Sequence, residues 1–125
     1  MIFYGKKEDI LNGNKDKISD FGISKDQLVG AKGETLWFQG LTMDKNYIYC
    51  LTGNNSIGSQ KKLYKYNLKG EVVSRYEINE DDLGKQVGTK LEPEGMTMID
   101  GTLYFTMMTK GKVGGNRKFL FKAKI

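Results

Sequence analysis

The chain has 125 residues, with sixteen glycines, one proline, one cysteine and no histidine; eighteen of its twenty basic residues are lysine, and its net charge is +5. Without histidine there is no Ser-His-Asp or Cys-His catalytic set and none of the usual zinc sites. A single cysteine forms no internal disulfide, and no stretch approaches the ~20 apolar residues of a membrane span.

This length suits one domain with a modest core. Lysine in place of arginine argues against a nucleic-acid reader, which leans on arginine for bidentate contacts to bases and phosphates. Attraction to an anionic surface such as a bacterial envelope fits the charge. The N-terminus, MIFYGKKEDI, lacks the apolar core of a signal peptide.

In chain order, MIFYG reads as the end of a strand, and DKISDFGI (16–23) as a further strand. LNGNKDK (11–17) and DDLGKQVG (81–88) are short and broken by glycine, so they read as loops or single turns rather than helices. Strands follow at WFQGLTM (37–43) and YIYCLT (47–52), joined by the turn DKN (44–46). Cys50 sits in the second of these and reads as a small packed hydrophobe. After the polar loop GNNSIGSQ (53–60) comes KLYKYNL (62–68), whose alternation sets Leu63 and Lys65 on one side and Tyr64, Tyr66 and Leu68 on the other. Lys69-Gly70 turns into EVVSRYEI (71–78). EPEGMTM (92–98) and TLYFTM (102–107) flank Asp100-Gly101, a strong tight-hairpin signal because both central residues of a type I′ turn need positive φ. The loop MTKGKVGGN (108–116) leads to FLFKAKI (119–125), with Phe119, Phe121, Ala123 and Ile125 on one side.

These elements repeat. Residues 23–51 lie over 78–106 without a gap at an offset of 55, with nine of 29 positions identical, among them Leu36/Leu91, Gly40/Gly95, Thr42/Thr97, Met43/Met98 and Tyr49/Tyr104. A two-residue insertion then sets 62–68 over 119–125. Four antiparallel strands per unit, with a glycine in the innermost strand where neighbours crowd the axis, predict an all-β, β-propeller-like fold. The expected organisation is two four-stranded blades, 23–78 and 79–125, in a single domain 1–125, with 1–22 the remnant or closing strand of a neighbouring blade. The second blade ends on its third strand, and two blades do not close a ring, so the propeller is part of a longer protein or of a homo-oligomer.

Two places carry candidate chemistry. Glu92 and Glu94 are two apart on a strand and so share a side, over Trp37 and Gln39 in the first repeat. Two carboxylates supply too few oxygens for calcium, and side by side they do not flank a glycosidic bond. On innermost strands that side looks along a central channel, where carboxylates suit a cation or sugar hydroxyls; the alternative is that they solvate the channel or bond to neighbouring blades. The loops 53–62 and 109–118 occupy equivalent places and combine glycine, amides and cations: Asn54, Asn55, Gln60, Lys61 and Lys62 in one, Lys110, Lys112, Asn116, Arg117 and Lys118 in the other. Such groups suit a ligand with hydroxyls and phosphates, and loops on a rigid scaffold are where binding lives. The alternative is a pair of ordinary polar hairpin loops. Trp37, beside Gln39, is the aromatic candidate for a sugar; the tyrosines and TMMT (106–109) read as packing. No cofactor or metal site is indicated.

The pieces QGLTMD, EPEGMTM and VGGNRKF resemble the C-terminal part of helveticin J-type bacteriocins of lactic acid bacteria. More distantly the chain is similar to propeller receptor-binding domains of phages of Gram-positive bacteria and to a teichoic-acid-biosynthesis-type protein. The resemblance implies a secreted antibacterial protein acting on the envelope of related bacteria, and maps no catalytic residue. The leading expectation is therefore a non-enzymatic module binding cell-wall glycopolymer. A wall-polysaccharide hydrolase or lyase using Glu92 or Glu94, and a structural or oligomerisation unit without ligand, are the alternatives.

Overall fold

Short aromatic and β-branched runs punctuated by glycine and Asx turns become strands in the computed structural model, which describes residues 2–17, 19–21, 25–29, 33–53, 61–78, 91–109 and 117–124. In order these are β1 (Ile2–Tyr4), the single-turn helix α1 (Lys7–Leu11), β2 (Ser19–Phe21), β3 (Trp37–Met43), β4 (Tyr47–Gly53), β5 (Lys61–Asn67), β6 (Val72–Ile78), β7 (Leu91–Ile99), β8 (Thr102–Thr109) and β9 (Arg117–Lys124). β1 pairs antiparallel with β2; β3-β4-β5-β6 and β7-β8-β9 form two larger antiparallel meanders. The fold is all-β and propeller-like, with four strands in the first large sheet and three in the second. Sequence periodicity did not register α1, which buries no side chain. Of the two segments read as loops or single turns, LNGNKDK contains a 3-10 turn at Lys15–Lys17, and 81–88 lies outside the described residues.

The hairpins follow their turn chemistry. Asp100 and Gly101 both have positive φ, 47° and 72°, as a type I′ turn requires. Between β5 and β6 the Asn67 side-chain oxygen accepts N–H bonds from Lys69 at 2.9 Å and Glu71 at 3.0 Å, and Gly70 takes a φ of 83°. The chain is already turning there, so Leu68 lies past the end of β5 and is exposed rather than sharing a side with Tyr64 and Tyr66.

The main core is the seam between the two large sheets. Tyr49, Leu51 and Leu63 of the first pack with Leu91, Leu103, Phe105 and Met107 of the second. Each such buried side chain contributes about 1.5–3 kcal/mol. That outweighs the polar bond between the sheets from the Met98 N–H to the Thr42 hydroxyl, 3.0 Å long and worth about 1 kcal/mol net. The sheets meet along their innermost strands, where a Cβ at Gly40 would lie 3.1 Å from Met96 Cγ and 3.2 Å from Gly95 Cα. Close approach is therefore what requires glycine at position 40.

On its other side the first sheet carries a second cluster, Ile48, Cys50, Tyr64 and Tyr66. The segment 27–29 reaches this side: Tyr64 donates to the Gln27 carbonyl at 3.0 Å, Tyr66 to Gln27 Oε1 at 2.7 Å, and Lys62 Nζ to the Val29 carbonyl at 3.0 Å.

Both inner strands carry a β-bulge at the same place in the repeat. β3 shifts register between Phe38 and Gly40, and β7 between Pro93 and Gly95. Gln39 and Glu94 are the inserted residues. The bulge interrupts the period of two on which the expectation for Glu92 and Glu94 rests, and the two differ in environment, Glu92 buried and Glu94 exposed.

Candidate functional site

One rim gathers the starts of the inner strands and the bases of both long loops. Trp37 pairs with Gly53, Thr52 with Lys62, Leu91 with Thr109, and Thr109 with Arg117. A threonine closes each loop base. Thr52 Oγ1 donates to the Lys62 carbonyl at 3.3 Å, and Thr109 Oγ1 accepts the Arg117 N–H at 3.1 Å. Each loop base is thus fixed by a ladder rung and a side-chain bond.

The candidate residues fall into three groups. Trp37, Glu94, Arg117 and Lys118 are exposed, with Trp37 at 56% of its full accessible surface. Lys61, Lys62 and Glu92 are buried, and Gln39 is half-buried, donating to the Gly53 carbonyl at 3.4 Å. Asn54, Asn55, Gln60, Lys110, Lys112 and Asn116 lie outside the described residues.

Lys61 shows how the base is built. Its aliphatic stem runs beside Gly53, where an added Cβ would come within 2.9 Å of Lys61 Cγ and 3.0 Å of Pro93 Cγ. The stem of a lysine behaves here as core, as long amphipathic side chains can. Glu92 is buried and pairs with Met108 in the ladder, whereas Glu94 is the exposed residue of the bulge.

The opposite rim holds a polar cluster that the sequence reading missed. Asp44 Oδ1 accepts the N–H groups of Asn46 at 2.7 Å and Tyr47 at 2.8 Å, and its Oδ2 accepts the Tyr49 hydroxyl at 2.9 Å. Lys65 Nζ lies 4.0 Å from the centre of the Tyr47 ring. Desolvation works against ionising Asp44, but these hydrogen bonds and the nearby Lys65 charge outweigh it and hold the carboxyl below its ordinary value. Burial and then the Asp44 carboxylate push the Tyr49 phenol up to about 12. Burial likewise raises the Cys50 thiol to about 12, which makes it an inert packing residue at neutral pH. The signal for this latch was weak because the repeat replaces Asp44 by Ile99.

The all-β, propeller-like arrangement of antiparallel sheets thus sets an exposed tryptophan beside the bases of both long loops on one rim. Neither a protein-family model nor a curated protein sequence matches the chain. Among solved structures it is similar to the tail fibre of Staphylococcus aureus phage P68, at 21% identity and a TM-score of 0.60, over 93% of this chain and 23% of the tail fibre. The likeness is one of fold, and it agrees with the resemblance to phage receptor-binding propellers rather than bearing on helveticin. No helix among the described residues is long and apolar enough to cross a membrane.

Proposed function

We propose that this chain is a non-enzymatic module that binds the surface of Gram-positive bacteria outside the cell, recognising an anionic cell-wall glycopolymer at the rim of Trp37, Arg117 and Lys118. The observation that carries this reading is the fold shared with a phage tail fibre over nearly the whole chain. The rim chemistry supports it. An exposed indole offers a flat apolar platform for a sugar ring, and exposed Arg117 and Lys118 offer charge-assisted bonds to phosphate. Asn54, Asn55, Gln60, Lys110, Lys112 and Asn116 would supply the hydroxyl-binding amides and further cations from the two loops. Lys61 and Lys62 would act through the loop base, since both are buried. In this reading 23–78 and 79–125 are the two repeat units, and 1–22 belongs to a neighbouring one. The helveticin-like pieces of the sequence extend the proposal to an antibacterial protein of the bacteriocin kind.

Binding to purified cell walls, with and without their teichoic acid, tests this reading. Retention should drop on stripped walls and weaken as salt rises, because exposed charges are screened. Trp37→Ala and Arg117→Ala with Lys118→Ala should each lower retention at least tenfold while the fold is kept. Equal retention by stripped and intact walls would sink the anionic-polymer reading.

A further inference from the structure

We propose that the chain assembles head to tail, the inner strand β3 of one copy docking on the β7-β8-β9 sheet of the next. The template is the seam inside the chain. There, one side of the first sheet (Gly40, Thr42, Tyr49, Leu51, Leu63) receives one side of the second (Pro93, Met96, Met98, Leu103, Phe105). Met96 lies over Gly40, the Met98 N–H bonds to Thr42, and Pro93 lies against Gly53.

Part of each half exists a second time with exposed apolar side chains, while Ile48 and Cys50, the counterparts of Leu103 and Phe105, are buried in the second cluster. Moving the donor half back by 55 residues turns Pro93, Met96 and Met98 into Phe38, Leu41 and Met43, three apolar side chains left 44%, 44% and 60% exposed on β3. Moving the receiving half forward turns Gly40 and Thr42 into Gly95 and Thr97, while Leu63 finds its counterpart in Leu120. Leu63 is buried in the seam, but Leu120 is 66% exposed. An exposed apolar row on an edge strand invites another chain, and here the chain itself carries the matching surface.

Gly95 is the discriminating residue. Its φ is not positive, and among the described residues a Cβ there would meet only Thr106 Oγ1, at 3.7 Å. Nothing described within the chain requires glycine at that position. Its counterpart Gly40 is required because a methionine side chain lies on it. The same need arises at Gly95 if Leu41 of another copy lies there, with the Met43 N–H of that copy reaching the Thr97 hydroxyl. Such a contact is heterologous, so it closes into a ring or runs on as a filament. Two or three copies would bring four or six large sheets around one axis, within the usual range of roughly four to eight blades. This inference rests on the repeat and not on the proposed ligand.

Light scattering on the 125-residue chain tests it, followed by crosslinking. The expected mass is two or three times 14.1 kDa, or a longer series if the contact does not close. Leu41→Asp and Gly95→Val, made separately, should each return the mass to 14.1 kDa with an unchanged far-UV spectrum. In a Cys50→Ala background, Leu41→Cys combined with Gly95→Cys should give disulfide-linked oligomers, and either cysteine alone should not. A monomer at every concentration overturns the proposal, as does an oligomer whose mass both variants leave unchanged. Equal crosslinking by the single-cysteine controls overturns it too. If the aspartate variant fails to fold, Gly95→Val and the crosslinking pair carry the test.

Discussion

The first large sheet has apolar clusters on both sides, packed against β7-β8-β9 on one and reached by the 27–29 segment on the other, whereas β7-β8-β9 packs on one side and leaves Leu120 exposed on the other. The two sheets descend from one repeated sequence pattern, so the difference lies in neighbours rather than in composition. Equivalent residues consequently differ in what they contribute. Leu63 stabilises by leaving water, and Leu120 does not unless something covers it.

Truncation should break this comparison most sharply. Leu51→Ala and Leu103→Ala empty the seam and should each cost about 2–5 kcal/mol, with both sheets lost in one transition; Leu120→Ala should stay within about 0.5 kcal/mol at concentrations where the chain is monomeric. Urea denaturation followed by circular dichroism checks this. Separate transitions for the two sheets would contradict a shared core.

The paired glycines sharpen it further. A methyl group at Gly40 pushes on Met96 and the Gly95 backbone, so Gly40→Ala should destabilise by about 1–3 kcal/mol. Gly95→Ala meets nothing closer than 3.7 Å among the described residues and should leave the monomer's midpoint nearly unchanged.

The Asp44 latch belongs to the first hairpin alone, so its effects should vanish in a chain whose DKN turn is replaced by IDG. Asp44 titrates below 3.8 in the folded protein, so its contribution is present above that value and fades as pH falls through the folded-state pKa. Tyr49 works in the opposite sense. Its phenol ionises near 12 when folded and at 10.0 when unfolded, so stability declines between those values as the unfolded chain releases its proton first. Asp44→Asn should cost about 1–2 kcal/mol at neutral pH, flatten the acid limb and reduce the alkaline one, read from thermal midpoints across pH.

The smallest expected effect is chemical. Cys50, fully buried and with its thiol raised to about 12, should resist alkylation at pH 8 until urea opens the first sheet. Its labelling midpoint should coincide with the loss of strand signal.

Much of this architecture was legible in the sequence because local chemistry and the repeat agreed. Asp100-Gly101 announced its turn through the φ values it permits, and β3 is found at the predicted residues 37–43. Gly40 announced a crowded inner strand. What stayed hidden depends on context beyond the period. Alternation assumes no inserted residue, so it could not separate Glu92 from Glu94 across the bulge. A lysine at the end of a polar loop reads as solvated, yet Lys61 is buried, its stem beside Gly53 and Pro93. Asp44 has Ile99 as its counterpart in the second repeat, so the repeat carries no signal for the latch. At the rim, the sequence picked out Trp37, Arg117 and Lys118, which are exposed, along with loop residues outside the described part.

The two bulges have a use in protein engineering. An irregularity kept at the same step of both inner strands means the hairpins 37–53 and 92–108 are wedges of one pattern, though few of their side chains agree. Wedges of one pattern can be shuffled. A gene in which 92–108 replaces 37–53 would test whether the kink or the side chains set the angle between neighbouring sheets. If the kink does, hairpins could be swapped as cassettes to graft new rim loops without redesigning the scaffold beneath them.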